Sequence, residues 1–253
     1  MRNLPLRGIT VVVTGTKITT TILSKVQSLG GEAHACPLID TKEIIEPYDY
    51  IQLQMARNLD WLIFTSQNAV KAFLNKTKQN KMEPIEFKGK IAAVGKKTTQ
   101  LLEQNGFNVD FMPSIYSADV FVKEFPVISG ENPRCMFIRG KKAKDTLKKG
   151  LPFRIKEWNV YETVENIAMV EPLIHLIQTV EKPIVIFASP SAVDVYAKHV
   201  APIIESSKVD LAAIGHITES AIHHYGMDVT YKPKTYTMES VIEEIVKKED
   251  ANL

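Results

Sequence analysis

Two phrases in the chain place a serine at the end of an apolar run: Leu62 to Val70 reads LIFTSQNAV, and Val185 to Val193 reads VIFASPSAV. Ser66 and Ser189 suit two kinds of work there. Each could cap the first turn of a following helix, or hydrogen-bond a ligand held at that turn. A second pair, VGKKT from Val94 and IGHIT from Ile214, puts Gly95 and Gly215 at a strand-to-helix corner, with Thr98 and Thr218 three residues further on. The densest positive patch, Arg139-Gly140-Lys141-Lys142-Ala143-Lys144, falls at another expected strand end. Cationic side chains and unpaired helix N–H groups both select anions. The chemistry these residues could do together is therefore binding of an acidic molecule. Each also has a plainer use: a duplicated cap is still a cap, a glycine eases a tight turn, and lysines solvate a surface.

Other chemistries lack their residues. VVVTGTKIT has a strand and Gly15 but no GxGxxG, and no acidic residue is placed to read a ribose. Neither GxxxxGK[ST] nor GxSxG occurs, which removes a phosphate-binding loop and a nucleophile elbow. Cys36 and Cys135 are too few for a disulfide framework and stand in no CxxC, so a reducing compartment is expected. The histidines, including the adjacent His223 and His224, have no partners at metal-ligand spacing. A site without cofactor or metal follows. A formal charge of +2 is too small to argue for nucleic acid, and no apolar stretch approaches the roughly 20 residues of a membrane span. MRNLPLRGITVVVTGT reads as a strand rather than a signal segment, and the expected location is cytoplasmic.

The elements that must position these residues come in two copies. KIAAVGKKTTQLLEQNGFNVDFMPSIYSADVFVKEF from Lys90 aligns without a gap on DLAAIGHITESAIHHYGMDVTYKPKTYTMESVIEEI from Asp210. Gly95 meets Gly215, Thr98 meets Thr218, Gly106 meets Gly226 and Pro113 meets Pro233, all at an offset of 120. The match weakens upstream, where Gly15 meets Gly140, and the copies run near 1–128 and 133–253. In the first copy, short β-branched runs predict strands near 9–14, 32–39, 61–65, 90–94 and 108–112, with helices near 17–29, 48–57, 67–78, 96–105 and 117–125. The second copy predicts strands near 134–139, 154–161, 183–188, 209–214 and 227–231, and helices near 143–150, 171–179, 190–200, 216–225 and 237–248. Apolar runs without strict alternation suit parallel strands covered on both faces. Five strand-helix pairs make a small doubly wound α/β domain, so two such domains are expected. Ligands bind beyond the carboxyl ends of such strands. Domains facing each other would line one cleft with four related loops.

DWLIFTSQNAV, IAAVGKKT, WNVYETV, FASPSAV and LAAIGHIT, in this order and spacing over nearly the whole chain, resemble the uroporphyrinogen-III synthase family. The resemblance implies an enzyme that cyclises hydroxymethylbilane with inversion of the terminal pyrrole ring and loss of water, through an azafulvene and a spiro intermediate. It implies no cofactor, no metal, a monomer, and the preceding bilane-forming enzyme as a candidate partner. The implied fold is two flavodoxin-like domains whose opening units are exchanged relative to the repeat, one holding 1–38 and 166–253 and the other 40–163. A two-strand connector near 36–42 and 160–167 would join them, within PLIDTKEI and VYETVENI. The resemblance makes Tyr161, in Val160-Tyr161-Glu162-Thr163, the candidate proton donor; its plainer role is packing in a half-buried strand. It makes Ser66, Asn68, Gly95, Thr98, Ser189, Gly215 and Thr218 candidate substrate contacts, to which local charge adds Arg139 and Lys141. His216 and Ile217 depart from Lys96 and Lys97 of the first copy, so the halves differ in charge. A non-catalytic two-domain binding protein for a small acidic ligand is the alternative from another class. A nucleotide-sugar enzyme would need a phosphate fingerprint that the sequence lacks.

Overall fold

The computed structural model describes residues 4–16 and 20–250. In chain order its strands are β1 (Thr10–Val13), β2 (Glu32–Ala35), β3 (Ile39–Glu43), β4 (Trp61–Phe64), β5 (Lys90–Ala93), β6 (Cys135–Gly140), β7 (Ile155–Glu165), β8 (Pro183–Phe187) and β9 (Asp210–Ala213). Its helices are α1 (Thr20–Ser28), α2 (Asp49–Ala56), α3 (Gln67–Gln79), α4 (Lys96–Glu103), α5 (Ala118–Ser129), α6 (Thr146–Gly150), α7 (Val170–Thr179), α8 (Pro190–His199), α9 (His216–His224) and α10 (Met238–Asp250). The chain divides into two compact units, Met1–Asp40 with Val164–Leu253, and Thr41–Thr163. Gly130, near the join of the two sequence copies, lies inside the second unit.

In the first unit the sheet order is β2-β1-β8-β9, parallel throughout. Successive strand side chains point to opposite faces. Val11, Val13, Ile184 and Ile186 therefore pack under α1 and α10, while Val12, Val185 and Phe187 pack under α7, α8 and α9. Both faces are covered, which is why TVVV and PIVIF are buried at every position.

The second unit repeats the plan in the order β3-β7-β6-β4-β5. Trp61, Ile63 and Phe137 face α5 and α6, and Leu62, Phe64 and Ile138 face α2, α3 and α4. Phe73 of α3 centres the second layer, meeting Phe64, Phe87, Phe107 and Trp158 edge-on at 5.3–6.2 Å. Each sheet combines the opening strands of one sequence copy with the closing strands of the other. β1 and β2 join β8 and β9, while β6 and β7 join β4 and β5. The order is the flavodoxin-like one, and its reversal points lie between β1 and β8 and between β6 and β4. β3 and β7 carry the chain over the two unit boundaries and neighbour each other in the five-stranded sheet.

Four predicted elements change. The strands expected at 108–112 and 227–231 shrink to single bridges, Ala92 with Phe111 and Ala212 with Tyr231. Pro113 and Pro233 lack the N–H a longer ladder needs. Asp110 also bonds the Ile91 N–H with its own carboxylate at 2.9 Å, replacing a backbone rung. The strand expected over 32–39 breaks at Cys36-Pro37 into β2 and β3. The helix expected from 143 begins at Thr146, because the Ala143 carbonyl and the Asp145 carboxylate bond the Arg139 guanidinium. The helix expected over 17–29 is α1 from Thr20; residues 17–19 lie outside the described residues.

Candidate functional site

At the reversal point of the second unit, β4 ends and the chain turns into α3 through Thr65 and Ser66. Ser66 holds an extended backbone and caps the helix, its Oγ accepting from the Ala69 N–H at 3.2 Å. The same Oγ lies 3.1 Å from the hydroxyl of Tyr161. Tyr161 comes from β7, and its placement depends on an irregularity in the ladder. Arg139 pairs with Asn159, but the register then slips by one residue so that Gly140 pairs with Tyr161 rather than Val160. The phenol ring lies directly over Gly140. A Cβ there would stand 2.5 Å from the ring's Cζ and 2.8 Å from its oxygen, so any side chain at 140 would displace the phenol. The Lys141 N–H donates to the Tyr161 carbonyl at 2.9 Å and fixes the strand beneath.

Tyr161, Asn68, Lys71, Asn75 and Glu43 line a depression of about 190 Å³. Asn68, Lys71 and Asn75 share one face of α3 by their helical spacing. Beside them the Gln67 side chain donates to the Lys97 carbonyl at 3.1 Å, tying the start of α3 to that of α4.

The corresponding corner of the first unit is built differently. Ser189 precedes α8 with an extended backbone, but its side chain makes no cap bond, and its buried Oγ has no hydrogen-bond partner among the described residues. At the opposite side of that reversal point the Thr14 hydroxyl donates to the Ile186 carbonyl at 2.8 Å. A buried hydroxyl without a partner costs free energy unless something else bonds it.

The two glycine corners also differ. Gly95 has φ +120°, a region that L side chains rarely adopt, and a Cβ there would meet only Cβ of Tyr116, at an ordinary contact distance of 3.7 Å. Gly215 is extended at φ −174°, and its requirement is steric: a Cβ would meet Cγ of Tyr236 at 2.8 Å. The Tyr236 hydroxyl lies 3.1 Å from Nδ1 of His216. Thr98 and Thr218 are both buried in the first turns of α4 and α9.

The two positive candidates after β6 part company. Arg139 is 6% exposed, and its guanidinium bonds the Glu157 carboxylate, the Ala143 carbonyl and, at 3.4 Å, Asp145. Burial raises the Glu157 carboxyl pKa, but hydrogen bonds from Lys148 and Arg139 outweigh it and hold the group below the usual carboxylate range. Lys141 is mostly exposed and pairs with Glu162 at 3.1 Å.

Among the described residues no group of three or more His, Cys, Asp or Glu could hold a metal ion, and no helix is long and apolar enough to cross a membrane. Sequence reading missed Lys71, Asn75 and Glu43 at the phenol, although the polar spacing 68-71-75 along α3 was the available signal. It also paired Gly140 with Gly15 without the reason for Gly140, which comes from a residue on another strand.

The model of the family described as uroporphyrinogen-III synthase HemD matches residues 21–243. A Methanocaldococcus jannaschii protein, provisionally named a uroporphyrinogen-III synthase, is 29% identical over 220 residues, covering 81% of this chain and 89% of its own. Two solved structures share the fold. A mutant uroporphyrinogen III synthase of the extremely thermophilic bacterium Thermus thermophilus has TM-score 0.65 and 16% identity over 97% of this chain and 100% of its own. Uroporphyrinogen-III synthetase of Helicobacter pylori has TM-score 0.65 and 19% identity over 96% of this chain and 100% of its own.

Proposed function

The chain belongs to the uroporphyrinogen-III synthase family, and from that premise we propose that the phenol of Tyr161, held between Ser66 and Gly140, is the proton donor of its reaction. The enzyme converts hydroxymethylbilane to uroporphyrinogen III, a cyclisation with loss of water and inversion of the terminal ring. Family membership does not favour a binding protein without chemistry.

The observation that carries the donor role is the contact of the Ser66 and Tyr161 hydroxyls at the reversal point of an open parallel sheet. The Ser66 oxygen already accepts from Ala69 N–H, so its own hydrogen is free to point at the Tyr161 oxygen. In that arrangement the phenolic hydrogen turns toward the substrate. As the hydroxymethyl C–O bond breaks, the phenol protonates the departing oxygen, water leaves, and the bilane carries the azafulvene cation. Ser66 then donates to the developing phenolate, backed by the N–H groups of α3. The substituted carbon of the terminal ring adds to the cation, and the spiro intermediate cleaves and recombines. The proton released when the last ring regains aromaticity returns to Tyr161, so no proton is gained or lost at the enzyme.

In this reading the second unit offers substrate carboxylates the N-termini of α3 and α4, with Asn68, Thr98 and the backbone at Gly95 beside them, and the first unit by itself offers those of α8 and α9, with Thr218 and the backbone at Gly215. The unpartnered Ser189 hydroxyl supports a contact at α8. Lys141 stays a candidate contact for an anion. We assign Arg139 instead to holding the corner after β6, since its guanidinium already bonds Glu157, Asp145 and Ala143. The working form is a cytoplasmic monomer. A substrate that closes spontaneously to the type I isomer favours direct transfer from the bilane-forming enzyme.

The test is Tyr161→Phe supplied with hydroxymethylbilane. Turnover should fall by about 10² or more with an unchanged melting temperature, since general acid catalysis is usually worth that much. A loss of no more than about twofold removes the donor role. Exclusive type I product from the wild type would remove the enzyme assignment itself.

A further inference from the structure

We propose that Lys71, assisted by Asn68, is a specificity-determining contact that binds one carboxylate arm of the substrate beside the Tyr161 phenol; the proposal rests on the reading of that corner as the reaction site. Lys71 lines the same depression as Tyr161 yet has no ion-pair partner among the described residues, and its side chain is exposed. It differs in this from Lys76, a little more than one turn along α3. Lys76 is 1% exposed and held by the Asp49 carboxylate, the Ile44 carbonyl and the Glu43 carboxylate.

The one acid in the lining is engaged on the helix side. Glu43 Oε2 accepts from the Asn75 amide at 3.1 Å, and Oε1, buried and without a hydrogen-bond partner among the described residues, lies at ion-pair distance, 3.4 Å, from Lys76 Nζ. Glu43 is thereby bound from the helix side, and Lys71 is the cation of the lining left to meet an incoming anion. Asn68, one turn earlier and lining the same space, adds a neutral amide donor.

Size decides which part of the substrate enters. A depression of about 190 Å³ is below the roughly 300–1,000 Å³ of sites that enclose a whole ligand. It takes an acetate or propionate arm and leaves the pyrrole chain outside. An arm fixed there places its own ring against the phenol. Lys71 would thus choose which ring meets the proton donor, a positioning task that backbone N–H groups spread over several helices perform less selectively.

The experiment compares steady-state kinetics on hydroxymethylbilane for Lys71→Gln, Lys71→Arg and Lys78→Gln, the last an exposed lysine of the same helix that does not line the depression. Lys71→Gln should raise KM about five- to tenfold with kcat within about twofold, as for loss of a charge-assisted contact. Its KM should also respond less to added salt than that of the wild type. Lys71→Arg should restore KM to within about twofold of wild type, and Lys78→Gln should match the wild type. Equilibrium binding of uroporphyrinogen III, followed by protein fluorescence, should weaken by the same factor in Lys71→Gln. A KM for Lys71→Gln within about twofold of wild type overturns the proposal, and so does an equal rise in Lys78→Gln. Failure of the donor reading appears separately, as retained turnover in Tyr161→Phe.

Discussion

Ser66 and Ser189 occupy the same place in two copies of one phrase, yet their oxygens have different surroundings. Ser66 accepts from Ala69 N–H and meets Tyr161, whereas the Ser189 oxygen is buried without a hydrogen-bond partner among the described residues. Ser66→Ala should therefore cost about 1 kcal/mol from the lost cap, within a usual range of roughly 0.5–2. Ser189→Ala should be near neutral in the free protein, since removing a hydroxyl that bonds nothing leaves no partner exposed. Urea denaturation of both variants measures the difference, and an equal cost at the two positions would contradict these environments. Lys76 makes a larger prediction. It joins Asp49 and Glu43 inside the second unit, with the Trp158 ring 5.9 Å away and the Trp158 N–H donating to Asp49. Lys76→Met removes one partner and leaves carboxylates in a site that water hardly reaches, at a cost of about 3–5 kcal/mol. The same denaturation measurement tests it, and a loss below about 1 kcal/mol would mean that the carboxylates readily find water.

The strand-to-helix corners show how much of each element could be read in advance. VGKKT and IGHIT look like the same turn, and sequence alone assigns both glycines the same reason. Gly95 needs its positive φ, while Gly215 needs room for the Tyr236 ring. Gly215→Ala should therefore lose most of its cost when Tyr236→Ala is introduced as well, whereas Gly95→Ala should keep its cost, of order 1 kcal/mol, in a Tyr116→Ala background. A double-mutant cycle in thermal unfolding checks both, and equal coupling at the two corners would sink the distinction. The same limit explains the rest. Strand-helix alternation was legible because apolar period and length are local properties, and the repeat was legible because both copies keep one register. The lost strands at 108–112 and 227–231 were not, since a proline two residues after each bridge residue, and at the first an Asp110 carboxylate that takes the Ile91 N–H, decide how many rungs form. The contact of Ser66 with Tyr161 spans 95 residues and depends on a one-residue slip between β6 and β7. No spacing rule within a single segment reports such a slip. Lys71 and Asn75 lay in plain view on α3, but only the strand brought against them gives that helix face a purpose.

On the scale of the whole molecule, each unit has its own two-layered core, and the titrating groups are divided unevenly between them. In the second unit Glu157, Asp60 and Glu124 all have carboxyls held below their usual range. In Glu157 the bonds from Lys148 and Arg139 overcome burial, while Arg134 lowers Asp60 and Ser114 lowers Glu124. Glu165, lowered by His199, is the comparable group of the first unit. A carboxyl depressed in the folded state stabilises above its unfolded pKa, about 4.5 for Glu, and that contribution disappears as pH falls through the folded value. Most of these carboxylates are exposed and screened, which leaves the partly buried Glu157 as the main contributor. Acid should therefore loosen the second unit first. Alkali should act the other way. Burial pushes Tyr196 up to about 12, raises Tyr231 further with help from Glu249, and raises Cys36, all in the first unit. The second unit has Cys135, pushed up to about 12 by burial and by Asp60. A raised phenol or thiol stabilises fully below its unfolded pKa, near 10 for Tyr and 9 for Cys, and that stability is lost as pH climbs toward the folded value. The chain carries its own reporters, because both tryptophans, Trp61 and Trp158, lie in the second unit, and the tyrosines buried among the described residues, Tyr196 and Tyr231, lie in the first. On acidification below about pH 4.5 tryptophan emission should change before half of the helical circular dichroism is lost, and Glu157→Gln should flatten that dependence. Above about pH 10 the exposed tyrosines should contribute a gradual rise in tyrosinate absorbance, and Tyr196 and Tyr231 a further cooperative step that precedes any change in tryptophan emission. If the two signals move together at both ends of the scale, the units unfold as one and the uneven division of charge has no bearing on stability.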